Sequence, residues 1–209
     1  LRLSTATSLM ERKDVIVVAT VSCIYGLGNP KAFFDMRLQI DKRTPKNIDS
    51  YAKQLITLQY ERNNYTPDRG SFRINGDVLE IYPAYLKDVA YRIEYDWDEI
   101  SEIKKIHPLT GKVLDIIDSC EIYPAKHFVL EEHEVLKALD EIEEEKKKQV
   151  ELFESQNKLV EAQRIETRTN YDIDMMREMG YCSGIENYSR VLAHRAVDER
   201  PAVLIDYFP

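Results

Sequence analysis

The sequence predicts an α+β fold in which an antiparallel sheet, packed against one or two helices, is followed by a helical hairpin. Asn75-Gly76 stands between two runs of alternating apolar and polar residues, the strongest short-range signal for a β-hairpin. A third alternating run follows at residues 90–95. From residue 131 onward, apolar residues such as Leu139 and Ile142 recur at helical spacing instead. Strands followed by helices in separate runs are typical of the α+β class.

The first hairpin is expected to turn at Asn75-Gly76, because both residues tolerate positive φ in a type I′ turn. Ile74 would then lie opposite Asp77, and Arg73 opposite Val78. Side chains alternate between the two faces of a strand with a period of two. The expected core face carries Phe72, Ile74, Leu79 and Ile81, and the expected outer face carries Arg73, Val78, Glu80 and Tyr82.

The run at residues 90–95 would extend this sheet by one strand. Alternation places Arg92 and Glu94 on the outer face, and it places Tyr91, Ile93 and Tyr95 on the core face. The outer face would then carry a row of Arg and Glu side chains. Such a face is either solvated surface or a docking face for a charged partner. The residues alone favour the solvated surface.

The remaining patterns predict elements on either side of this sheet. Residues 15–20 form a continuous, β-branched run, which is typical of a buried parallel strand. A Ser/Gly-rich loop with Tyr25 follows; such loops can approach a ligand, although a structural turn is the simpler interpretation. The other expected elements are a helix at 1–12, a short helix from Pro30, a strand at 36–40, an amphipathic helix that starts after Pro45 at Asn47 or Asp49, and strands at 99–106, 113–117 and 121–123.

The second part of the chain reads as two amphipathic helices with a break at residues 155–157 and an end at Gly180. Acidic and basic residues are mixed on their outer faces, which does not favour a nucleic-acid arm. The methionines between 175 and 179 are interpreted as core rather than as a binding groove. A loop with Tyr188 and Arg190 comes next, and the run at 203–209 is typical of a strand.

Composition excludes several classes of protein. The 209 residues are 44% hydrophobic and 32% charged, which is ordinary for a globular protein. The formal net charge of −8 argues against a general nucleic-acid coat protein, although it does not exclude a local DNA contact. Cys23, Cys120 and Cys182 have no zinc or disulfide spacing, so we expect reduced thiols in the cytoplasm.

The sequence shows neither a signal peptide nor an apolar run of membrane-spanning length, so no membrane partner is expected. The four histidines are scattered and form no metal or nucleophile motif. The chain begins at Leu1 in a helical pattern and ends in a strand-like run. We therefore expect it to be part of a longer protein.

Five stretches carry a resemblance to a known family. They are VSCIYGLG at 21–28, RGSFR at 69–73, GDVxEIxP at 76–83, LTG at 109–111, and MMREMG at 175–180 followed by CSGIENYSR at 182–190. Together they resemble the UvrB family, the damage-verifying subunits of the bacterial UvrABC nucleotide-excision repair system. The resemblance covers the whole chain.

The resemblance implies an α+β domain, which binds UvrA, inserted in a helicase-like α/β core. Residues 1–32 would be the tail of the first helicase-like domain, 33–127 the UvrA-binding insert, and 128–209 a helical hairpin domain leading into the next core strand. The family's phosphate-binding loop, DNA-clamping hairpin and Walker B strand have no counterpart in these residues. The implied ATP and magnesium, like the partners UvrC and damaged DNA, therefore belong to the longer protein, and no catalysis or cofactor is expected here.

The resemblance also implies site residues. The family's UvrA-contacting charges map onto Arg62, Arg73, Arg92 and Glu94, with Asn75 standing where the family often has a further arginine. Candidate DNA contacts are aromatic and cationic residues in or near loops, namely Arg2, Tyr25, Phe128, Tyr188 and Arg190.

Three other functions stay open. A transcription-repair coupling factor carries a similar UvrA-binding module, although the loop at 181–190 favours UvrB. An enzyme centre would need a cluster of His, Cys and Asp residues, which the sequence does not show. A helical-hairpin spacer without binding function would leave the charged sheet face unexplained.

Overall fold

The computed structural model describes residues 1–20, 27–126, 132–179, 182–193, 195–196 and 198–208. The chain divides into two compact units. The sheet unit comprises Leu1–Ile24, Pro30–His127 and Leu204–Pro209, and the helical unit comprises Tyr25–Asn29 and Phe128–Val203. Helices and mostly antiparallel strands occur in separate parts of the chain, so the predicted α+β class is confirmed.

The sheet unit contains three helices and eight strands among its described residues. The helices are α1 (Arg2–Glu11), α2 (Pro30–Asp35) and α3 (Ile48–Thr57). The strands are β1 (Leu38–Asp41), β2 (Glu61–Arg62), β3 (Ser71–Asn75), β4 (Val78–Tyr82), β5 (Ala90–Asp96), β6 (Glu99–Ile106), β7 (Val113–Ile117) and β8 (Ser119–Ile122). The two-residue strand β2 lies in a stretch for which the sequence predicted no element.

Strands β2 to β7 form one six-stranded sheet in sequence order, and β1 pairs with β8 in a separate two-stranded sheet. Only the β2–β3 pair in the six-stranded sheet is parallel. Helix α3 packs on the core face, where Tyr51 and Leu55 are fully buried with Phe72, Leu79 and Ile93. The opposite face is called the outer face below.

The hairpin turns at Gly76-Asp77, not at Asn75-Gly76 as predicted. Asn75 pairs with Val78 and Arg73 with Glu80. Gly76 has φ +59, whereas Asp77 is not among the residues with positive φ, the pattern of a type II′ turn with glycine first. The pairing is shifted by two residues along one strand. Because side chains alternate with a period of two, both predicted faces are preserved.

Residues 15–20 do not form the predicted buried strand. Ile16 and Val18 are 92% and 95% exposed, and no strand in the described ranges pairs with this run. A buried parallel strand needs neighbours on both sides and covered faces. The apolar sequence favours a strand but cannot form one without those neighbours.

The predicted strand at 203–209 is also wrong. Leu204–Tyr207 forms a turn of 3₁₀ helix. Leu204 and Tyr207 are both buried, and the Tyr207 ring lies 6.3 Å from that of Phe33. Residues three apart share one side of a 3₁₀ helix, so this conformation buries both without a partner strand.

The helical unit contains α4 (Glu132–Ser155), α5 (Leu159–Met179), a 3₁₀ turn at Ile185–Tyr188 and α6 (Ser189–Leu192). The predicted break between the long helices is confirmed, with Asn157 at φ +57. Leu139, Ile142 and Met176 are buried in one cluster, whereas Met179 is 61% exposed. The methionines are therefore core only in part. Gly180, the predicted end of α5, lies outside the described residues.

Within the described part of the chain, no helix is both long enough and apolar enough to cross a membrane.

Candidate partner-binding surface

The strand register brings the charges of the outer face into one row. Arg73 on β3 pairs with Glu80 on β4, and Glu80 pairs with Arg92 on β5. Arg92 in turn pairs with Lys104 on β6. Residues opposite each other on adjacent strands are close enough for their side chains to interact. Three cations and one carboxylate therefore lie side by side across four strands.

Glu80 is the centre of this row. Its exposed fraction is only 4%, although its strand position is on the outer face. Nε of Arg73 donates to its Oε2 at 2.5 Å, and Nε of Arg92 donates to its Oε1 at 2.7 Å. The hydroxyl of Tyr82 donates to Oε2 at 2.8 Å. A buried carboxylate is tolerated when it is paired and hydrogen-bonded, as this one is.

Two opposing effects act on the pKa of Glu80. Burial raises it, whereas the hydrogen bonds from Arg73, Tyr82 and Arg92 lower it, and the net result is a lowered pKa. Burial, together with the bond to Glu80, raises the pKa of Tyr82 to about 12. At neutral pH the group is therefore a carboxylate with two guanidinium cations and a neutral phenol.

Arg73 and Arg92 keep binding capacity beyond Glu80. Each guanidinium carries five N–H donors, and each uses its Nε on this carboxylate. No other described residue accepts a hydrogen bond from the Nη groups, and the side chains are 34% and 26% exposed. The two arginines line a depression of about 250 Å³ together with Asn75, Val78, Glu80 and Glu94.

A second ion cluster borders the depression. Nζ of Lys104 donates to Glu94 Oε2 at 2.8 Å and lies 2.7 Å from Glu102 Oε2. These two bonds raise the pKa of Lys104. Since Lys104 is only 17% exposed, it orients Glu94 rather than facing a partner itself.

The structure brings together four of the five residues predicted to contact UvrA. Arg73, Asn75, Arg92 and Glu94 line the same depression. Arg62 is exposed on β2, where it pairs with Phe72. Paired residues on neighbouring strands lie on the same face, and Phe72 faces the core, so Arg62 lies on the edge strand β2 and not in the outer-face row.

Sequence reasoning missed the roles of Glu80 and Lys104. Glu80 was assigned to the outer face, but the predicted register did not place it opposite Arg73. With the turn at Gly76-Asp77, cross-strand pairing would have identified the Arg73–Glu80 contact, whereas the Glu80–Arg92 contact also needed the register of β5 against β4. Lys104 needed the register of β6 against β5, which no turn signal in the sequence specifies.

Of the residues predicted to contact DNA, Tyr188 and Arg190 line one depression of the helical unit, with a volume of about 520 Å³. Tyr25 and Phe128 lie outside the described residues, and Arg2 lies in the sheet unit at the start of α1. In the helical unit, the Tyr188 hydroxyl donates to Asp172 Oδ2 at 2.8 Å. Arg190 donates to Glu141 at 3.1 Å and also to Glu145. Tyr188 and Arg190 are therefore held by carboxylates of their own unit.

In the ranges that the structure describes, no group of three or more His, Cys, Asp or Glu side chains is arranged to hold a metal ion.

Two known domain families match the chain. The UvrB interaction domain matches residues 38–128, and the UvrB third helical domain matches residues 133–194. The first contains the whole outer face, and the second contains most of the helical unit.

Curated relatives match the chain over its full length. UvrABC system protein B of Treponema denticola is 53% identical over 209 residues, that of Gloeobacter violaceus 51% over 211, and that of one Clostridium botulinum strain 48% over 209. The chain spans 31–32% of the length of these relatives. With two UvrB domains matched over most of its length, and relatives about half identical across all of it, the chain belongs to the UvrB family.

Proposed function

We propose that the outer face of the six-stranded sheet binds the UvrA subunit of the bacterial nucleotide-excision repair system. The observation that carries this proposal is the state of Arg73 and Arg92. Both are anchored through Nε to a buried carboxylate, and both keep their Nη groups for a partner. Paired Nη donors suit a carboxylate geometrically, so the surface would receive acidic side chains of UvrA.

The domain assignment and the other binding functions are proposed for the longer protein of which this chain would be a part. We assign residues 1–32 to the tail of a helicase-like domain, 33–127 to the UvrA-binding insert and 128–209 to a helical domain. ATP and magnesium, UvrC and damaged DNA would be bound in the cytoplasm by the longer protein. A transcription-repair coupling factor is the less favoured alternative, because the match to a UvrB helical domain favours UvrB.

The free energy lost on truncating a charged residue distinguishes a docking surface from a face that is only solvated. An exposed ion pair stabilises a protein by about 0–1 kcal/mol. At an interface, truncating one partner of a desolvated pair costs roughly 2–5 kcal/mol. The two interpretations therefore differ by tenfold or more in the affinity of a variant.

The test is calorimetry of UvrA with the wild-type chain and with Arg73→Glu. We expect Arg73→Glu to abolish detectable binding. A carboxylate at position 73 would repel the acidic side chains of UvrA that the arginine is proposed to attract, and it would stand beside Glu80. Arg164→Glu is the matched control, since it makes the same charge change on an exposed arginine of α5. Circular dichroism checks folding. Equal affinities for wild type and a folded Arg73→Glu variant would contradict the proposal.

Salt dependence provides a second measurement. Charged rim residues steer association, so the affinity for UvrA should fall as ionic strength rises from about 0.05 to 0.5 M. An affinity that is independent of salt would indicate an apolar interface elsewhere on the chain.

We further propose a weak DNA contact by Arg2, Tyr25, Phe128, Tyr188 and Arg190 in the longer protein. Base stacking on aromatic rings contributes about 1–3 kcal/mol per base. Arg190 would have to exchange Glu141 and Glu145 for a phosphate, which limits its contribution. In the full-length protein, unchanged damaged-DNA binding and incision by Tyr25→Ala would remove Tyr25 from this set.

A further inference from the structure

Glu80 is the least exposed charged side chain of the depression, and it contacts both arginines proposed to bind UvrA. Its two oxygens are shared between them, Oε2 bonding Arg73 and Oε1 bonding Arg92. Tyr82 donates to Oε2 from its own strand. With 4% of its surface exposed, Glu80 has little area left for a partner to touch.

The bonds to Glu80 fix the orientation of both guanidinium groups. An exposed arginine has many rotamers, and binding a partner normally requires freezing one of them. Here the Nε–H of each arginine is already held, so the guanidinium plane is set in the free protein. The Nη groups of both arginines have no acceptor among the described residues, and both side chains line the depression.

Glu80 also reduces the electrostatic repulsion between the two arginines. Arg73 on β3 and Arg92 on β5 flank the same residue of β4, and two cations held this close to one another repel each other. A carboxylate between them offsets this repulsion, and its effect is larger than that of a surface carboxylate because Glu80 itself is buried.

We infer that Glu80 is a positioning residue of the proposed UvrA-docking surface, which holds Arg73 and Arg92 by their Nε atoms so that their Nη groups face a carboxylate of the partner. The inference rests on the proposed function. According to this inference, Glu80 raises the affinity of the chain for UvrA through the two arginines and does not contact UvrA itself.

The first experiment is calorimetry of UvrA with Glu80→Gln. Glutamine has the same shape, but it has an oxygen at only one of the two positions that the arginines use, and its NH2 group would face the other arginine donor. We expect the affinity to fall about 10- to 100-fold, the range for losing one charge-assisted hydrogen bond. Glu99→Gln is the matched control, because it makes the same change on an exposed residue of β6 and should leave the affinity within about twofold.

A thermodynamic cycle separates positioning from a general effect on folding. If Glu80 acts through the arginines, Glu80→Gln should reduce affinity much less in an Arg73→Ala background than in the wild-type chain. If it acts only by loosening the sheet, the two reductions should be equal. Circular dichroism and thermal unfolding confirm that each variant is folded.

A measurement on the wild-type chain does not depend on any variant folding. In NMR spectra of the free chain, the Nε–H signals of Arg73 and Arg92 should be protected from solvent exchange, as expected for donors bound to a buried carboxylate. Both should stay protected when UvrA is added. Rapid exchange of both signals in the free chain would overturn the inference.

The outcomes distinguish the inference from the function on which it rests. If Arg73→Glu abolishes binding while Glu80→Gln leaves the affinity within twofold of wild type, the docking surface stands and the positioning role is overturned. Equal reductions in the two backgrounds also overturn it. If Arg73→Glu itself leaves the affinity unchanged, the proposed function is contradicted, and the inference that rests on it is overturned with it.

Discussion

The carboxylate of Glu80 is stable inside the sheet because three donors replace the water that burial removes. Removing its charge while keeping its shape should therefore destabilise the sheet unit. A hydrogen bond to a charged group is worth about 1.5–3 kcal/mol, so we expect Glu80→Gln to lower the free energy of unfolding by about that amount at pH 7.

The pH dependence of stability provides a sharper prediction for the same residue. The pKa of Glu80 in the folded chain lies below its ordinary value of 4.5, so folding favours the ionised form of this carboxyl group over the protonated form. Its contribution is complete above pH 4.5 and is lost as the pH falls through the folded-state pKa. The pKa of Tyr82 is raised to about 12, so its hydroxyl stays neutral in this range and the expected pH dependence is that of Glu80.

Urea unfolding between pH 3 and pH 7 checks this prediction. The difference in unfolding free energy between wild type and Glu80→Gln should be constant above about pH 5 and should shrink below pH 4.5. Two stability curves that stay parallel across the whole range would show that the Glu80 carboxylate is not preferentially charged in the fold.

Sequence alternation predicted the composition of the outer face but not the contacts within it. Arg73, Arg92 and Glu94 were assigned to one face from a period of two, and the register confirms that face. The partner of Glu80 depends on where the hairpin turns. A two-residue shift leaves every face unchanged while it replaces every cross-strand neighbour.

Helix α3 shows how a local sequence signal determines an element. The Asn47 side chain accepts a hydrogen bond from the backbone N–H of Ser50 at 2.8 Å, which caps the first turn. The helix then buries Tyr51 and Leu55 against the sheet. The sequence predicted the helix from its apolar spacing and left its start open between Asn47 and Asp49; the helix is confirmed, and the cap is Asn47.

Asn47→Ala should destabilise the sheet unit by about 1 kcal/mol, because it leaves the Ser50 N–H without its acceptor. Asn47→Asp is the matched control, since it keeps the acceptor and places a negative charge near the positive end of the helix dipole. Thermal unfolding followed by circular dichroism measures both. Equal losses in the two variants would show that the cap bond is not the cause.

Two elements were predicted wrongly because their neighbours decide their conformation. Residues 15–20 have the composition of a buried strand, and residues 204–207 lie in an apolar run that resembles one. Propensity for β structure reflects packing against adjacent strands more than an intrinsic preference of the backbone. Single-sequence patterns therefore identify an apolar run without specifying what covers it.

At the scale of the whole molecule, the two units have separate cores. The cluster around Phe72, Leu79 and Ile93 belongs to the sheet unit, and the cluster around Leu139 and Met176 belongs to the helical unit. The two clusters share no residue. The change from period-two alternation to helical spacing predicted this order of elements, because each pattern buries a different kind of face.

Separate cores predict separate responses to mutation. Leu139 is 2% exposed on α4, and Leu139→Ala should lower the stability of the helical unit by about 2–5 kcal/mol through loss of buried surface and creation of a cavity. Because the proposed docking surface is built on β3 to β6, the affinity for UvrA should not change. Hydrogen exchange should show faster opening in α4 and α5 but unchanged protection in β3, β4 and β5.

Leu136→Ala is the matched control for this prediction. It makes the same truncation on the same helix, but Leu136 is 49% exposed, so the loss should stay within about 1 kcal/mol. Calorimetry with UvrA is then run on all three chains. If Leu139→Ala weakens UvrA binding, or if it speeds exchange in β3 to β5 as much as in α4, the two cores are coupled. The affinity for UvrA would then depend on the helical unit as well as on the outer face.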